Sequence, residues 1–175
     1  MATREVYWNI EGHHWLYLFF IIALAVFAYG VYKRVKLWKL GQPEKRWQEV
    51  WPGIKDVLVY TFAHKRIFKD SFPGLMHAGI FYGFLFLAFA TAIITLQADF
   101  AINLFHGWLY LFIKITANLF GLAALIGIMV AAFRRYIQRP DRLDNKMDDG
   151  ITLALLFAIL LTGFVIQGAR MAVVP

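Results

Sequence analysis

Four long apolar runs constrain this sequence more than any other feature. A helix that crosses the hydrocarbon core of a bilayer needs about 20 mainly apolar residues, and the runs cover approximately 15–32, 74–97, 107–133 and 151–169. They lack the alternation of polar and apolar residues that marks the strands of a membrane barrel. With 61% hydrophobic and 17% charged residues, the chain has too little polar surface for an ordinary soluble domain. The sequence therefore predicts an all-α integral membrane protein, a single domain over residues 1–175 with four transmembrane helices.

The basic residues lie mainly in two of the segments that connect these runs. Ten Lys or Arg residues occur from Lys33 to Lys69 and five from Arg134 to Lys146, whereas the connection around Asp99 has none. By the positive-inside rule, both basic segments lie in the cytoplasm and the N-terminus lies outside. The net charge of +7 is then explained by topology and by attraction to anionic membrane lipid, and we expect no binding to nucleic acid.

The first basic segment contains an amphipathic stretch at about 44–69. Its apolar positions recur near helical spacing with lysines between them, which is typical of a helix that lies in the membrane interface. We expect a cytoplasmic interfacial helix here; a brace for a soluble partner is the alternative.

A histidine near the start of the second apolar run is the first candidate for cofactor binding. At 100° per residue, one face of this helix carries His77, Phe81, Phe84, Ala88, Thr91 and Thr95. Polar groups in a membrane normally turn toward the interior of a bundle, so this face is predicted to point inward. An imidazole beside aromatic rings suits a b-type haem. An interhelical hydrogen bond explains the histidine equally well.

Two further features of the apolar runs predict packing and a second candidate site. Gly79 and Gly83 form a pair of small residues on another face, where a neighbouring helix is expected to approach closely. His106 precedes the third run, at the opposite depth from His77, so one haem cannot take both as ligands. His106 is expected to be an interface residue, with an outer haem or a hydrogen bond to quinone as alternatives.

The chain has no cysteine. By itself it cannot ligate an iron–sulfur cluster or form a disulfide. If electrons move through this chain, the carrier must be haem, quinone or flavin.

Four stretches, taken in their order and spacing, resemble the membrane domain of the nitrate-reductase gamma-subunit-like cytochromes b. The resemblance is strongest to the branch that is fused to or paired with heterodisulfide-reductase-like iron–sulfur proteins. The stretches are His64–Phe68, Pro73–Phe84, Leu119–Gly127, and Arg134–Asp144 running on to Leu161–Arg170.

The resemblance implies a five-helix bundle that holds one or two b haems. His77 matches the family's inner haem ligand on the second helix, and His64 matches a histidine that is a haem ligand, a propionate partner or a surface contact. The position ten residues after His77, where relatives place a second ligand, is Leu87. An outer haem would then need His106 or an N-terminal histidine. The fifth helix and the cysteine-rich domain lie outside these 175 residues, so we expect an incomplete bundle that is completed by a longer chain or another polypeptide.

The function that the resemblance implies is electron transfer in a bacterial or archaeal cytoplasmic membrane. A haem at His77 would relay electrons between menaquinone or another quinone and a cytoplasmic partner. That partner would be a heterodisulfide-reductase-like iron–sulfur protein or domain, with an electron-transfer flavoprotein as a further partner. The chain is then an electron-transfer module and not a complete enzyme. The alternative is a haem-free membrane anchor that docks a soluble redox complex; a small transporter is disfavoured because no helix carries a central carboxylate.

Overall fold

The computed structural model describes residues 12, 14–42, 47–100, 102, 106–141, 143–144 and 146–173, and the elements in these ranges are helices. The α-helices are α1 (Trp15–Trp38), α2 (Val50–Asp56), α3 (Ser71–Phe100), α4 (Gly107–Phe133) and α5 (Met147–Val173). Short 3-10 turns occupy Trp47–Glu49 and Ile67–Lys69, and π-helical turns occupy Val57–Phe62 and Arg134–Gln138.

Among the described residues, four helices are long and apolar enough to cross a membrane: α1, α3, α4 together with the turn that follows it, and α5. This confirms the predicted fold class. The helices α1, α3 and α5 extend beyond their predicted apolar runs. An apolar run marks only the part of a helix that lies inside hydrocarbon, whereas the backbone hydrogen bonds of the helix continue into the polar residues that flank it. The helix α3 begins at Ser71 and includes Pro73 in its first turn. Proline is tolerated in the first turn because an N–H there has no partner within the helix.

The described residues divide into two compact units, one up to Lys55 and one from Asp56 onward. The first unit contains α1, which has no buried residue. The second unit contains α3, α4 and α5, and it holds every buried hydrophobic residue of the described chain.

The stretch predicted as one amphipathic helix at 44–69 is helical in several short pieces. Residues 47–62 pass from a 3-10 turn through α2 into a π-helical turn, and the helical run ends at Ala63. A separate 3-10 turn follows at Ile67–Lys69. Residues 44–46 lie outside the described ranges, and the location of this stretch at a membrane surface stays a prediction.

The helices α3 and α4 pack antiparallel through small residues. A Cβ atom added to Gly83 would lie 2.6 Å from the Phe120 carbonyl oxygen, and one added to Gly79 would lie 3.1 Å from that of Ala123. On the α4 side, a Cβ atom on Gly127 would lie 3.0 Å from the Met76 carbonyl oxygen. The prediction that Gly79 and Gly83 admit a neighbouring helix is confirmed. Without a hydrophobic drive between helices in lipid, such backbone contact is what favours association.

Two clusters of buried residues extend this contact. One joins Ala90 of α3 to Tyr110 and Ile113 of α4. The other joins Ala124 and Ile128 of α4 to Leu160 of α5, and Phe84 and Leu87 of α3 pack against it.

The helix face that carries His77 is exposed in the described chain. His77, Ala88, Thr91 and Thr95 are exposed in the described chain, and the expectation that this face points toward the interior of a completed bundle stays a prediction. The small residues of α3 occupy the packed face because only they allow close approach. The Thr91 hydroxyl has no need of an interior partner, since it donates a 2.9 Å hydrogen bond to the Leu87 carbonyl oxygen one turn back.

An ion pair connects the end of α4 to the start of α5. Arg135, in the π-helical turn, donates to the carboxylate of Asp149 and to the carbonyl oxygen of Asp144. Asp148 and Asp149 lie in the first turn of α5, where negative charge is favoured by the helix dipole.

A methyl group at Gly83 should destabilise the packing of α3 on α4. We expect Gly83→Ala to lower the free energy of unfolding by about 1–3 kcal/mol, as overpacking typically does. Gly163→Ala is the matched control, because a Cβ atom there meets nothing within 4 Å and alanine favours the helix at both positions. Thermal unfolding of the purified protein in detergent measures the difference. Equal unfolding temperatures for the two variants would contradict this account of the contact.

Candidate functional site

The turn between the π-helical segment and α3 has an unusual backbone at His64. The helical run ends where the Ala63 N–H bonds to the Leu58 carbonyl oxygen, and His64 then adopts φ +53°. Left-handed backbone is uncommon for residues other than glycine, and it persists where surrounding contacts hold it. The His64 carbonyl oxygen accepts from the N–H groups of Ile67 and Phe68, at 2.9 and 3.0 Å. These bonds fold residues 64–69 into a compact turn.

The side chain of His64 is almost completely enclosed by protein, with 1% of its surface exposed. Its Nδ1 atom lies 3.1 Å from the Phe62 carbonyl oxygen. Because a carbonyl oxygen only accepts, Nδ1 carries the proton, and in the neutral ring Nε2 is then an acceptor. Nε2 is buried and has no hydrogen-bond partner among the described residues. A buried polar atom without a partner costs about 1–3 kcal/mol, so this nitrogen is a candidate functional atom.

Four rings surround the His64 imidazole. The centroid distances are 4.7 Å to Phe81, 5.2 Å to His77, 5.2 Å to Tyr82 and 6.0 Å to Phe68. The Tyr82 hydroxyl donates to the Phe62 carbonyl oxygen, which therefore accepts from both Tyr82 and His64. We call His64, Phe68, His77, Phe81 and Tyr82 the ring cluster.

Glycine at position 74 allows the turn to lie against α3. A Cβ atom there would be 2.8 Å from the Ile67 carbonyl oxygen and 3.0 Å from the Phe68 Cα atom. Both are backbone atoms that cannot move aside without disrupting the turn. This close approach places His64 beside the first turns of α3 and so beside His77.

The structure brings some of the predicted site residues together and separates others. His77 is exposed on α3, and its ring stacks at 24° on that of Phe81, with centroids 6.4 Å apart. Phe84 packs against the buried cluster around Ala124 and Leu160, and its contact with a cofactor stays a prediction. Leu87, at the position of the second ligand in the resembled family, packs against the same cluster.

His106 lies away from the ring cluster. It immediately precedes α4, at the opposite end of the antiparallel α3–α4 pair from His77. His14 immediately precedes α1, and His13 lies outside the described residues.

Sequence reasoning missed the burial of His64 and the roles of Phe62 and Tyr82. A carbonyl oxygen that accepts from two side chains leaves no trace in residue spacing. The signal that was available is Gly74, because a glycine directly after a proline at a helix start indicates a close backbone approach.

A concave surface separate from the ring cluster lies between α4 and α5. It is a groove of about 360 Å³ lined by Asn118, Leu119, Leu122, Phe164, Gln167, Gly168 and Met171. Its two amide side chains are polar groups on an otherwise apolar surface, and each can both donate and accept a hydrogen bond.

Comparison with known proteins relates the chain to redox enzymes. An EtfAB:quinone oxidoreductase of Syntrophomonas wolfei subsp. wolfei is 36% identical over 178 residues, which cover 98% of this chain and 24% of that protein. The chain is related to oxidoreductases. A probable iron-sulfur-binding oxidoreductase FadF of Bacillus subtilis is 30% identical over 155 residues, covering 83% of this chain and 21% of the relative.

A membrane component of a third enzyme matches over most of its own length. The E subunit of the dihydromethanophenazine:CoB–CoM heterodisulfide reductase of Methanosarcina thermophila is 24% identical over 186 residues, covering 85% of this chain and 69% of that protein. In contrast, the chain spans about a quarter or less of the first two relatives. No protein-family model and no solved structure matches the chain. None of the three relatives is named as a cytochrome, so membership in a cytochrome b family stays a prediction.

Removal of the Tyr82 hydroxyl should loosen the turn that holds His64. We expect Tyr82→Phe to speed hydrogen exchange at the amides of Ile67 and Phe68 about 2- to 10-fold, the effect of losing a hydrogen bond worth about 0.5–1.5 kcal/mol. Exchange measured by mass spectrometry on peptides covering 63–70 tests this. Tyr32→Phe is the control, since Tyr32 is 63% exposed on α1. Unchanged exchange in Tyr82→Phe would show that the hydroxyl does not stabilise the turn.

Proposed function

We propose that this multi-pass membrane protein is the membrane electron-transfer part of a quinone-linked oxidoreductase and that His77 is an axial ligand of a b-type haem. The relatives named as a quinone oxidoreductase and as part of a heterodisulfide reductase support the reaction class. The observation that carries the haem proposal is the ring cluster, in which an exposed imidazole on an apolar helix is paired with a buried imidazole of defined tautomer.

The residues on the exposed face of α3 fit a haem at His77. Neutral imidazole is a common ligand for haem iron. The His77 ring is accessible from outside the helix, and Phe81 stacks beside it. A flat apolar porphyrin would meet aromatic and small side chains on this face.

The residues around His64 do not fit a second ligation site. Its Nε2 atom has no exposed surface, and the rings of Phe81 and Tyr82 lie against the imidazole. A porphyrin has no room to approach this nitrogen. His77 is therefore the ligand that this chain would supply.

When bound, the haem would supply one-electron transfer between a quinone such as menaquinone and a soluble partner. The contribution of the chain is to bind the cofactor, to orient His77 and to exclude water with the aromatic side chains. The partner that we propose is a heterodisulfide-reductase-like iron–sulfur protein or domain, with an electron-transfer flavoprotein as donor or acceptor. The names of the relatives support partners of these two kinds.

Substitution of His77 should remove the haem. We expect full-length protein, purified from membranes with its native partners, to show b-type bands in the dithionite-reduced spectrum and His77→Ala to lose them. Haem content per protein is measured in parallel by the pyridine haemochrome assay. His106→Ala is the control, because His106 lies at the other end of α3 and α4. If the wild-type complex contains no haem, the haem proposal is wrong and the haem-free anchor replaces it.

We also propose the orientation that the positive-inside rule predicts, with the turn after α3 outside and the turn before α5 in the cytoplasm. The absence of cysteine makes a direct test simple, because one engineered thiol is the only one in the chain.

A thiol at each of these turns should react differently in intact cells. Phe100 is 67% exposed at the end of α3, and Met147 is 80% exposed at the start of α5. We expect a membrane-impermeable maleimide to label Phe100→Cys but not Met147→Cys in intact cells, and to label both after permeabilisation. The opposite pattern would reverse the proposed topology.

A further inference from the structure

We infer that His64 positions His77: the unprotonated Nε2 atom of His64 accepts a hydrogen bond from the ring N–H of His77 and fixes the orientation of that ring. The hydrogen bond is a property of the chain itself. Its consequence for a haem rests on the proposed function.

The ring cluster contains only one group that can donate to this nitrogen. Phe68 and Phe81 have no polar hydrogen, and the Tyr82 hydroxyl already donates to the Phe62 carbonyl oxygen. His77 is the remaining ring neighbour, and its imidazole always carries at least one N–H. The free-energy cost of the buried acceptor therefore favours a His77 rotamer that points its N–H at Nε2.

The present orientation of the His77 ring does not form this bond, but the two imidazoles are close enough to form it after a rotation of that ring. Rings joined by an in-line N–H···N bond of about 3 Å have centroids on the order of 5 Å apart, and those of His64 and His77 are 5.2 Å apart. A haem held by both imidazoles would need open space at Nε2 of His64, and that atom is buried.

His64 is the fixed member of the pair. Its Nδ1 atom is held by the Phe62 carbonyl oxygen, its backbone is held by the bonds of the turn, and its ring is enclosed. His77 is exposed and can rotate on α3. A rotation of the His77 ring is therefore what completes the hydrogen bond.

Such a bond determines which nitrogen of His77 faces a metal. Histidines that ligate metals commonly donate their second ring N–H to a fixed acceptor, which sets the tautomer and raises the basicity of the ligating nitrogen. In this pair the acceptor is a second imidazole, itself oriented by a backbone carbonyl group. His64 is thus a positioning residue, and His77 is the residue that would hold the haem.

Two substitutions of His64 separate positioning from ligation. Asparagine tolerates left-handed backbone, and its amide N–H can still reach the Phe62 carbonyl oxygen, but its side chain is too short to place an acceptor at the position of Nε2. Glutamine is longer and places an amide oxygen near that position. We expect His64→Asn to lower haem affinity about 10- to 100-fold, the usual effect of losing such a partner, and to shift the reduction potential. We expect His64→Gln to restore both toward the wild-type values.

The measurements are haem titration, potentiometry and low-temperature EPR on the full-length protein purified with its native partners. A His64→Asn variant with wild-type affinity, potential and EPR spectrum would overturn the inference. Complete loss of haem in both His64 variants, equal to that in His77→Ala, would identify His64 as a ligand and also overturn it, while the proposed function would stand.

A haem-independent measurement tests the hydrogen bond if no haem is found. In protein labelled with ¹⁵N-histidine, the His64 Nε2 resonance should have the shift of a hydrogen-bonded acceptor, and His77→Ala should move it to that of a free acceptor. An Nε2 shift that does not respond to His77→Ala would overturn the inference, independently of the outcome for the proposed function.

Discussion

Backbone contact between α3 and α4 is the interaction on which the rest of the second unit depends. In lipid, apolar surface gains little by facing another helix, so helices associate where small residues let main chains approach. Gly79, Gly83 and Gly127 provide that approach. Once the glycine face of α3 is committed to α4, the rotation of α3 is fixed, and the face with His77 is left on the outside. The exposure of the histidine is thus a consequence of where the small residues lie.

A single shared acceptor organises the ring cluster. The Phe62 carbonyl oxygen comes at the end of a π-helical turn and accepts from both His64 and Tyr82. This oxygen links the end of the π-helical turn to Tyr82 of α3. By accepting from Nδ1 of His64, it also sets the tautomer of the buried imidazole. Within the cluster, Nε2 of His64 has no hydrogen-bond partner in this orientation of the rings. The inferred bond from His77, the exposed member of the cluster, would provide one.

The four apolar helices and the glycine contact could be predicted from the sequence because each depends on local composition and spacing. The exposure of individual residues on the face with His77 could not be predicted in this way. Helical periodicity places His77, Phe81 and Phe84 on one side of α3, but the small residues on another side are the ones that contact α4. The Thr91 hydroxyl bonds to its own helix. Phe84 then fell at the border of the packed face and joined the cluster around Ala124. The burial of His64 was also beyond sequence reasoning, because it depends on a left-handed residue and on a glycine at position 74 that lets a turn lie against a helix.

The hydrogen bond of Thr91 to its own helix has a wider consequence for what can cover α3. With that hydroxyl satisfied internally, most of the exposed face makes no demand for a polar partner, and lipid tails or another apolar helix can slide along it at little cost. Polar recognition by its neighbours then depends on the imidazole of His77 and the hydroxyl of Thr95. A companion molecule that meets these two groups with the right chemistry gains a defined position along a helix of 30 residues.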